Sequence, residues 1–376
     1  MKIALNLFWI DQIGGILTFN KEIRAGLESL GHKVDPYAIS LNKKILPDSL
    51  KSRDYESREF VKILGFMKDE WLREYQKTMD NYDLIVFSTP CPTRRKSFSD
   101  PRWKLCYELN SKIITVFHDP YLEERYPWIK DVYPKITKFV CLQEKSYYVV
   151  KNSFGLLLGR REVQIIRHPL NLKDLGSYEK EKEDLVISAH QFKSWKRIDK
   201  LIGIIPDLKS KWSSINIEIY GDGIERTKMS GKKRSEKYKN TEGEWIWDKA
   251  IESGMQYKGF VPEQKLINAY KRARCFVDLS LGENGHKTHY PNLNYSTLEA
   301  MKYGCVIVSS PVLPPSLFVP DRNYLPVDER NLNRALIERI GDAVFNDYSD
   351  MIQLNQEILR REFSREIVAK RLLEGI

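Results

Sequence analysis

DLVISAHQFKSWKRIDKLIGIIPDLKSKWSSINIEIYGDG, residues 184–223, carries one complete supersecondary unit. An apolar run (DLVISAH) gives way to a basic helix start (SWKRIDKLI), and a second apolar run (INIEIY) closes on Gly221-Asp222-Gly223. Strand, crossover helix and strand form the repeat of a parallel sheet. The same rhythm continues downstream in MQYKGF, CFVDLSL and CVIVSS.

The rhythm also precedes it. KIALNLFWI reads as a first strand, Gly14-Gly15 as a turn, and Thr18 to Leu30 as an amphipathic helix stopped by Gly31. A strand is expected from about Lys33, then Tyr82 to Ser88, Lys112 to Phe117, Lys138 to Leu142 and Val163 to Ile166. Residues 41 to 80 are charged and helical in flavour and read as an insertion. Arg167 to Tyr178 (RHPLNLKDLGSY) is a linker candidate, and the charged run Glu179 to Asp184 is expected at the surface. The fold class is therefore α/β, in two halves of ordinary domain size. The expected divisions are 1–170, 171–355 and a closing helix over 356–376, with no strand after Asn331.

Composition narrows the class. With 376 residues, 42% apolar and 11% aromatic, the chain can bury sizeable cores, which excludes a largely disordered protein. No apolar stretch approaches the ~20 residues of a membrane span. Asp11 and Gly14-Gly15 suit a buried first strand rather than a signal peptide, so the chain reads as cytosolic. Five scattered cysteines without a C-x-x-C pair read as free buried thiols. Six histidines without metal spacing and no Asp-x-Asp pair point away from a bound metal. The net charge of +10 favours phosphorylated ligands, nucleic acid or an anionic surface.

Ligands of open parallel sheets bind beyond the carboxyl ends of strands. Gly14 and Gly15 open a helix there, and serve equally as a phosphate or sugar contact or as an ordinary tight turn. His118 and Asp119 end a strand of the first half, where a histidine can bond a hydroxyl and Asp119 can orient it or take a proton. His190, Lys193, Lys196 and Arg197 follow the first strand of the second half; cations at a helix start are disfavoured by the helix dipole unless an anion binds. Gly223 closes a strand as a turn first and a nucleotide contact second. In LGENGHKTHYPNLNYSTLEAMKYGCVIVSSP, residues 281–311, a polar loop with Glu283, His286, His289 and Asn292 leads into a helix start with Asn294, Ser296 and Thr297. Glu299, one turn in, is placed to accept two hydroxyls of a ribose.

Taken together, FHDP around His118, RHPLN, SWKRIDKLI, IYGDG, YKGFVPEQKLINAYKRARCFVDLS and STLEAMKYGCVIVSSP resemble the GT-B retaining glycosyltransferases with a Glu-x7-Glu motif, in order and over nearly the whole chain. REFSREIVAKRL looks like the closing helix of that family. The resemblance implies two Rossmann-like domains facing across a cleft, with C-terminal helices crossing back. It implies donor phosphate at Lys196, donor ribose at Glu299 and the transferred sugar at His118, with a nucleotide sugar, a UDP-sugar first, as co-substrate and no further cofactor. Front-face attack, with the donor phosphate helping to take the acceptor proton, is the mechanism it implies. The chain departs from the pattern twice. Gln191 stands where the family has an arginine, leaving His190, Lys193 or Arg197 to supply charge, and Pro291 stands at the first glutamate, with Glu283, His286 and His289 as nearby substitutes.

Both departures are also similar to bacteriophage DNA α-glucosyltransferases, as are VFHDP and YSTLEAMKYG. That implies a hydroxymethylated base in duplex DNA as acceptor and a host cytoplasm as location. Two basic runs with aromatics fit such an acceptor. One is TRRKSFSDPRWK (residues 93–104), with Arg94, Arg95, Lys96, Arg102 and Lys104. The other is KMSGKKRSEKYKN (residues 228–240), with Lys232, Lys233 and Arg234, followed by Trp245 and Trp247. A charge run also serves as a solvated face. A transferase of surface polysaccharide or lipid-linked glycan, or a non-catalytic DNA- or sugar-binding protein on the same fold, are the other readings.

Overall fold

The computed structural model describes residues 1–7, 15–39, 62–64, 69–89, 101–118, 128–155, 162–175, 182–231, 234–281, 293–310, 314 and 316–376. They form two compact units, Met1–Asn171 with Arg361–Ile376, and Leu172–Arg360. Each unit has its own apolar core.

The first unit is built on strands β1 (Lys2–Leu7), β2 (Lys33–Ile39), β3 (Lys62–Leu64), β4 (Leu84–Phe87), β5 (Lys112–Phe117), β6 (Lys138–Cys141) and β7 (Glu162–Ile165). Their order is β3-β2-β1-β4-β5-β6-β7, and every neighbouring pair is parallel. Strands such as Leu84–Phe87 and Lys138–Cys141 are buried at every residue, as a sheet covered on both faces requires. The sequence reading of residues 41–80 as an insertion is corrected in part: β3 extends the sheet here, and helix α1 of the unit (Gly15–Ser29) is followed in this region by helix α2 (Asp69–Met79). A three-residue strand is too short to show a period of two, so pattern alone does not reveal it.

The second unit repeats the plan with β8 (Glu183–Ala189), β9 (Asn216–Tyr220), β10 (Met255–Gly259), β11 (Ala273–Asp278), β12 (Val306–Ser309) and β13 (Leu325–Pro326). The order is β10-β9-β8-β11-β12-β13, all parallel. β13, two residues long and containing a proline, is not visible in the sequence pattern. In both sheets the strand order reverses beside the first strand of the unit, between β1 and β4 and between β8 and β11. Crossover helices leave to opposite faces at such a point, and the carboxyl ends there open a crevice for a ligand.

Helices Leu332–Phe345 and Ser349–Ile358 are followed by a π-helical turn, Leu359–Phe363, that leads into helix Arg365–Leu373. The returning chain is bonded to Leu170 on both sides: the Leu170 amide donates to the Phe363 carbonyl at 2.7 Å, and the Arg365 amide donates to the Leu170 carbonyl at 3.0 Å. Lys138 is almost wholly buried, and its ammonium donates to the carbonyls of Arg371 (3.0 Å) and Glu374 (2.7 Å). A cation at a helix carboxyl end satisfies carbonyls that have no intrahelical partner and complements the dipole. Among the described residues no helix is long and apolar enough to cross a membrane, and Cys106, Cys141, Cys275 and Cys305 are free and buried.

α1 shows why the terminal helix belongs to the first unit. Its buried residues Phe19, Ile23, Gly26 and Leu27 recur at helical spacing. Gly26 lies against the start of the terminal helix, where an added Cβ would stand 2.3 Å from the Arg365 carbonyl oxygen. Gly26→Val is therefore expected to cost about 1–3 kcal/mol through overpacking. A lowered thermal midpoint in circular dichroism checks this, and an unchanged midpoint refutes the close packing.

Candidate active site

The reversal between β8 and β11 gathers the richest set of polar side chains in the second unit. β11 runs Ala273–Asp278 through apolar residues and ends in a carboxylate that is 4% exposed. A buried charge is tolerated only with partners, and Asp278 has several. Oδ1 accepts from the Ser280 hydroxyl (2.5 Å) and the Ser280 amide (3.0 Å), and lies 3.5 Å from His190 Nε2. Oδ2 accepts from Thr297 Oγ1 (2.5 Å) and from Asn294 Nδ2 (2.7 Å). Burial pushes this carboxyl up, but the charges of His190 and Lys196 and the hydrogen bonds from Ser280 and Thr297 outweigh it and hold it far below the usual range.

Asn294 is the hub. It is the N-cap of helix Tyr295–Lys302, yet its side chain makes no capping bond. Nδ2 faces Asp278 and the Ser280 hydroxyl (3.2 Å), while Oδ1 accepts from the Lys196 ammonium. Lys196 closes a 3₁₀ turn, Ser194–Lys196, that follows β8, and Arg197 next to it adopts the left-handed conformation at φ 52°. On the same helix, Ser296 Oγ lies 3.3 Å from His190 Nδ1. The structure thus unites His190, Lys196, Asn294, Ser296 and Thr297, from two separate places in the chain, around Asp278 of a third.

Other expected residues fall differently. Arg197 is engaged with Glu329 at 2.8 Å, and Glu329 also accepts from the Ser310 hydroxyl at 2.7 Å. Lys193 places its ammonium 4.7 Å from the centre of the Trp195 ring. Glu299 is partly exposed; burial first, and then its charge, pushes the Tyr303 phenol up to about 12. The Gly223 amide is taken by the Asp222 carboxylate at 2.7 Å. Its turn serves packing: at Gly221, φ +105°, a Cβ would stand 1.9 Å from the His190 carbonyl oxygen, so glycine lets the loop after β9 press onto the loop after β8.

In the first unit, Gly15 is the first residue of α1, and His118 follows β5. The His118 ring meets Phe19 edge-on at 5.2 Å, and its buried Nε2 has no hydrogen-bond partner among the described residues. Burial pulls its pKa down to about 4 against a weaker opposing bond from the Ser88 backbone, so the ring is neutral near pH 7. Gly14, Asp119, Arg94, Arg95, Lys96, Lys232, Lys233, Glu283, His286, His289 and Asn292 lie outside the described residues, as does the side chain of Arg102. Lys104 is half-buried in the turn Pro101–Tyr107.

Over residues 228–240, the basic run read as suited to a nucleic-acid backbone, the described cations are engaged with acids. Lys228 (2.7 Å) and Lys237 (3.0 Å) both bind Glu225, which also accepts from Tyr238. Arg234 pairs with Asp248, Lys239 with Glu236, and both cations flank the Trp245 ring. Trp247 is in the core. The described cations of the run are thus paired, with Glu225 and Asp248 outside it and with Glu236 inside it.

Sequence reading missed Asp278, Ser280, Ser310 and Glu329. Only Asp278 leaves a signal there: an acid ending an otherwise apolar strand has to be satisfied by something.

This is an α/β protein of the doubly wound kind, with a buried polar cluster at the reversal of the second sheet. Residues 173–350 match the family model described as Glycosyl transferases group 1, so the chain carries a glycosyl transferase group 1 domain and is a glycosyltransferase. No curated protein sequence matches. Among solved structures, a TarM variant from S. aureus in complex with fondaparinux, α-GlcNAc-glycerol and UDP is similar at TM-score 0.67 and 14% identity, covering 100% of both chains. Anabaena Alr3699/HepE in complex with UDP and glucose is similar at TM-score 0.67 and 12% identity, over 100% of this chain and 98% of that one. An α-glucosyltransferase in complex with UDP and a 13-mer DNA containing an HMU base is similar at TM-score 0.67 and 13% identity, over 99% and 98%. At these identities the likeness is one of fold, and that fold is GT-B.

A pH dependence of stability follows from three histidines. Burial lowers His118 and His190 to about 4, and burial together with the charges of His118 and Arg167 lowers His168 to about 3. The unfolded chain takes up these protons near pH ~6.5, before the folded one does. Stability is therefore full above about pH 6.5 and falls as the pH drops toward 4. Thermal midpoints at about pH 7.5 and about pH 5 check the sign, and replacing His190 by Asn should flatten the slope.

Proposed function

We propose that the protein transfers a sugar from a UDP-sugar, with retention of configuration and without a bound metal, to a hydroxyl on a modified base in duplex DNA. The observation that carries the donor half is the Lys196–Asn294–Asp278 cluster at the sheet reversal of the glycosyl transferase group 1 domain.

In this reading Lys196 faces the donor diphosphate. As the bond between the sugar C1 and the phosphate oxygen breaks, negative charge grows on the leaving diphosphate, and a fixed ammonium stabilises it there. Lys196 thereby supplies charge that a divalent ion supplies in other transferases. The acceptor oxygen forms the new bond to C1 on the same face, and its proton passes to the leaving phosphate oxygen. Glu299 accepts the ribose hydroxyls, the neutral His118 bonds a hydroxyl of the transferred sugar, and Asp119 orients the reacting groups.

Two points support DNA as acceptor. The basic excess belongs to the first unit, with 32 Lys and Arg against 24 Asp and Glu, where the second has 29 against 27. A neighbour in fold is a glucosyltransferase in complex with UDP and DNA containing an HMU base. Transferases of glycans are the second reading, favoured by the TarM variant in complex with fondaparinux and α-GlcNAc-glycerol, and the acceptor assay separates the two.

Lys196→Ala is expected to lower turnover of the UDP-sugar by roughly 10²–10³-fold. Turnover close to that of the parent removes the role assigned to the ammonium. Incubation with hydroxymethylated duplex and a panel of nucleotide sugars, in the presence of EDTA, should label the DNA with an α-linked sugar. A β-linked product, loss of activity in EDTA, or labelling of glycans alone refutes the corresponding part. Duplex binding should weaken with salt at a slope of ~0.9 per phosphate neutralised.

A further inference from the structure

We infer that Asp278 is a positioning residue of the donor site, one that sets the orientation of the Asn294 amide and through it holds the Lys196 ammonium where the diphosphate binds. The inference rests on the UDP-sugar reading above and deepens it.

The argument begins with the two ends of an amide. An asparagine side chain is a donor on one side and an acceptor on the other, and its neighbours decide which way it faces. Asp278 Oδ2 accepts only, so the nitrogen of Asn294 turns toward it, at 2.7 Å. The Ser280 hydroxyl strengthens this choice: it donates its own proton to Asp278 Oδ1 and so meets the Asn294 nitrogen at 3.2 Å as an acceptor. The Asn294 oxygen is thereby turned outward, and the Lys196 ammonium donates to it. Thr297 Oγ1, bonded to the same Asp278 oxygen at 2.5 Å, keeps the carboxylate from rotating.

Lysine is a flexible chain with a point charge at its tip, and fixing it in one place costs side-chain entropy. A ligand benefits when that cost has been met before it arrives. Asn294 occupies one of the three ammonium protons, which defines the direction of the others. Asp278 also contributes an anionic charge that keeps Lys196 at the reversal while being too deeply buried to meet a diphosphate itself. Asp278→Asn keeps the shape but replaces an acceptor by a group whose nitrogen can face the Asn294 nitrogen. The Asn294 amide then gains by turning over, presenting its own donor to Lys196 and driving the ammonium away.

The test is a double-mutant cycle read by calorimetric UDP affinity on the full chain, with folding checked by circular dichroism. Asp278→Asn is expected to weaken UDP binding about tenfold in the parent background and by little in the Lys196→Ala background, because it acts through that lysine. Asn294→Ala, which leaves the carboxylate and its Thr297 and Ser280 bonds in place, should show the same dependence on Lys196. It carries the test if Asp278→Asn does not fold. Equal losses in both backgrounds, as a purely structural role would give, overturn the inference, and so does undiminished affinity of both variants. In either case the UDP-sugar reading stands, since the parent binds UDP. A parent protein that binds no UDP removes that reading and this inference with it.

Discussion

A carboxylate at the end of an apolar strand cannot remain buried without partners, and the second unit is arranged around that requirement. Asp278 is met by Ser280 of its own loop and by Asn294 and Thr297 of the helix that enters beside it, and His190 Nε2, just past the end of β8, lies 3.5 Å away. These groups come from β8, β11 and the helix Tyr295–Lys302, which adjoin because the strand order reverses there. The same reversal opens a place for ligand, so the groups that satisfy the buried acid also organise the cations beside it. Glycine contributes where no side chain fits, with Gly221 bringing one loop onto the carbonyl of His190.

Charge is handled differently in the two units. At the reversal of the second sheet, Arg197 is engaged with Glu329 and Lys196 with Asn294. The described part of the basic run over residues 228–240 is likewise paired, chiefly through Glu225, whose carboxyl stays near 2 because bonds from Lys228, Tyr238 and Lys237 outweigh the opposing effect of burial. A cluster of lysines in a sequence therefore says little about field until its acids are located in space. The excess cations that remain belong mostly to the first unit. There the polar centre is neutral by contrast: His118 and His168 are uncharged near pH 7 because burial disfavours their protonated forms.

Much of the fold was legible in the residue pattern because burial leaves a local trace. LIVF in β4 is apolar throughout and KFVC in β6 is apolar after its leading Lys138, as strands covered on both faces require, and α1 repeats its apolar positions at helical spacing. Where an element is too short to carry a period, the trace fails. β3 and β13 are of this kind, and both were missed.

The candidate site divides along the same physical line. Lys196, His190 and the Asn294–Thr297 helix start could be singled out because each stands at the end of a recognisable element, and that is a local property. What each side chain touches was beyond reach. Lys196 meets Asn294 across 98 positions, Arg197 meets Glu329 across 132, and Thr297 meets Asp278 across 19. Such pairings depend on which strands lie side by side, and only the folded sheet decides that. The alternation of apolar runs with helical patterns was sufficient to specify two parallel α/β sheets; the assignment of charge, partner and orientation within the site came from tertiary structure alone.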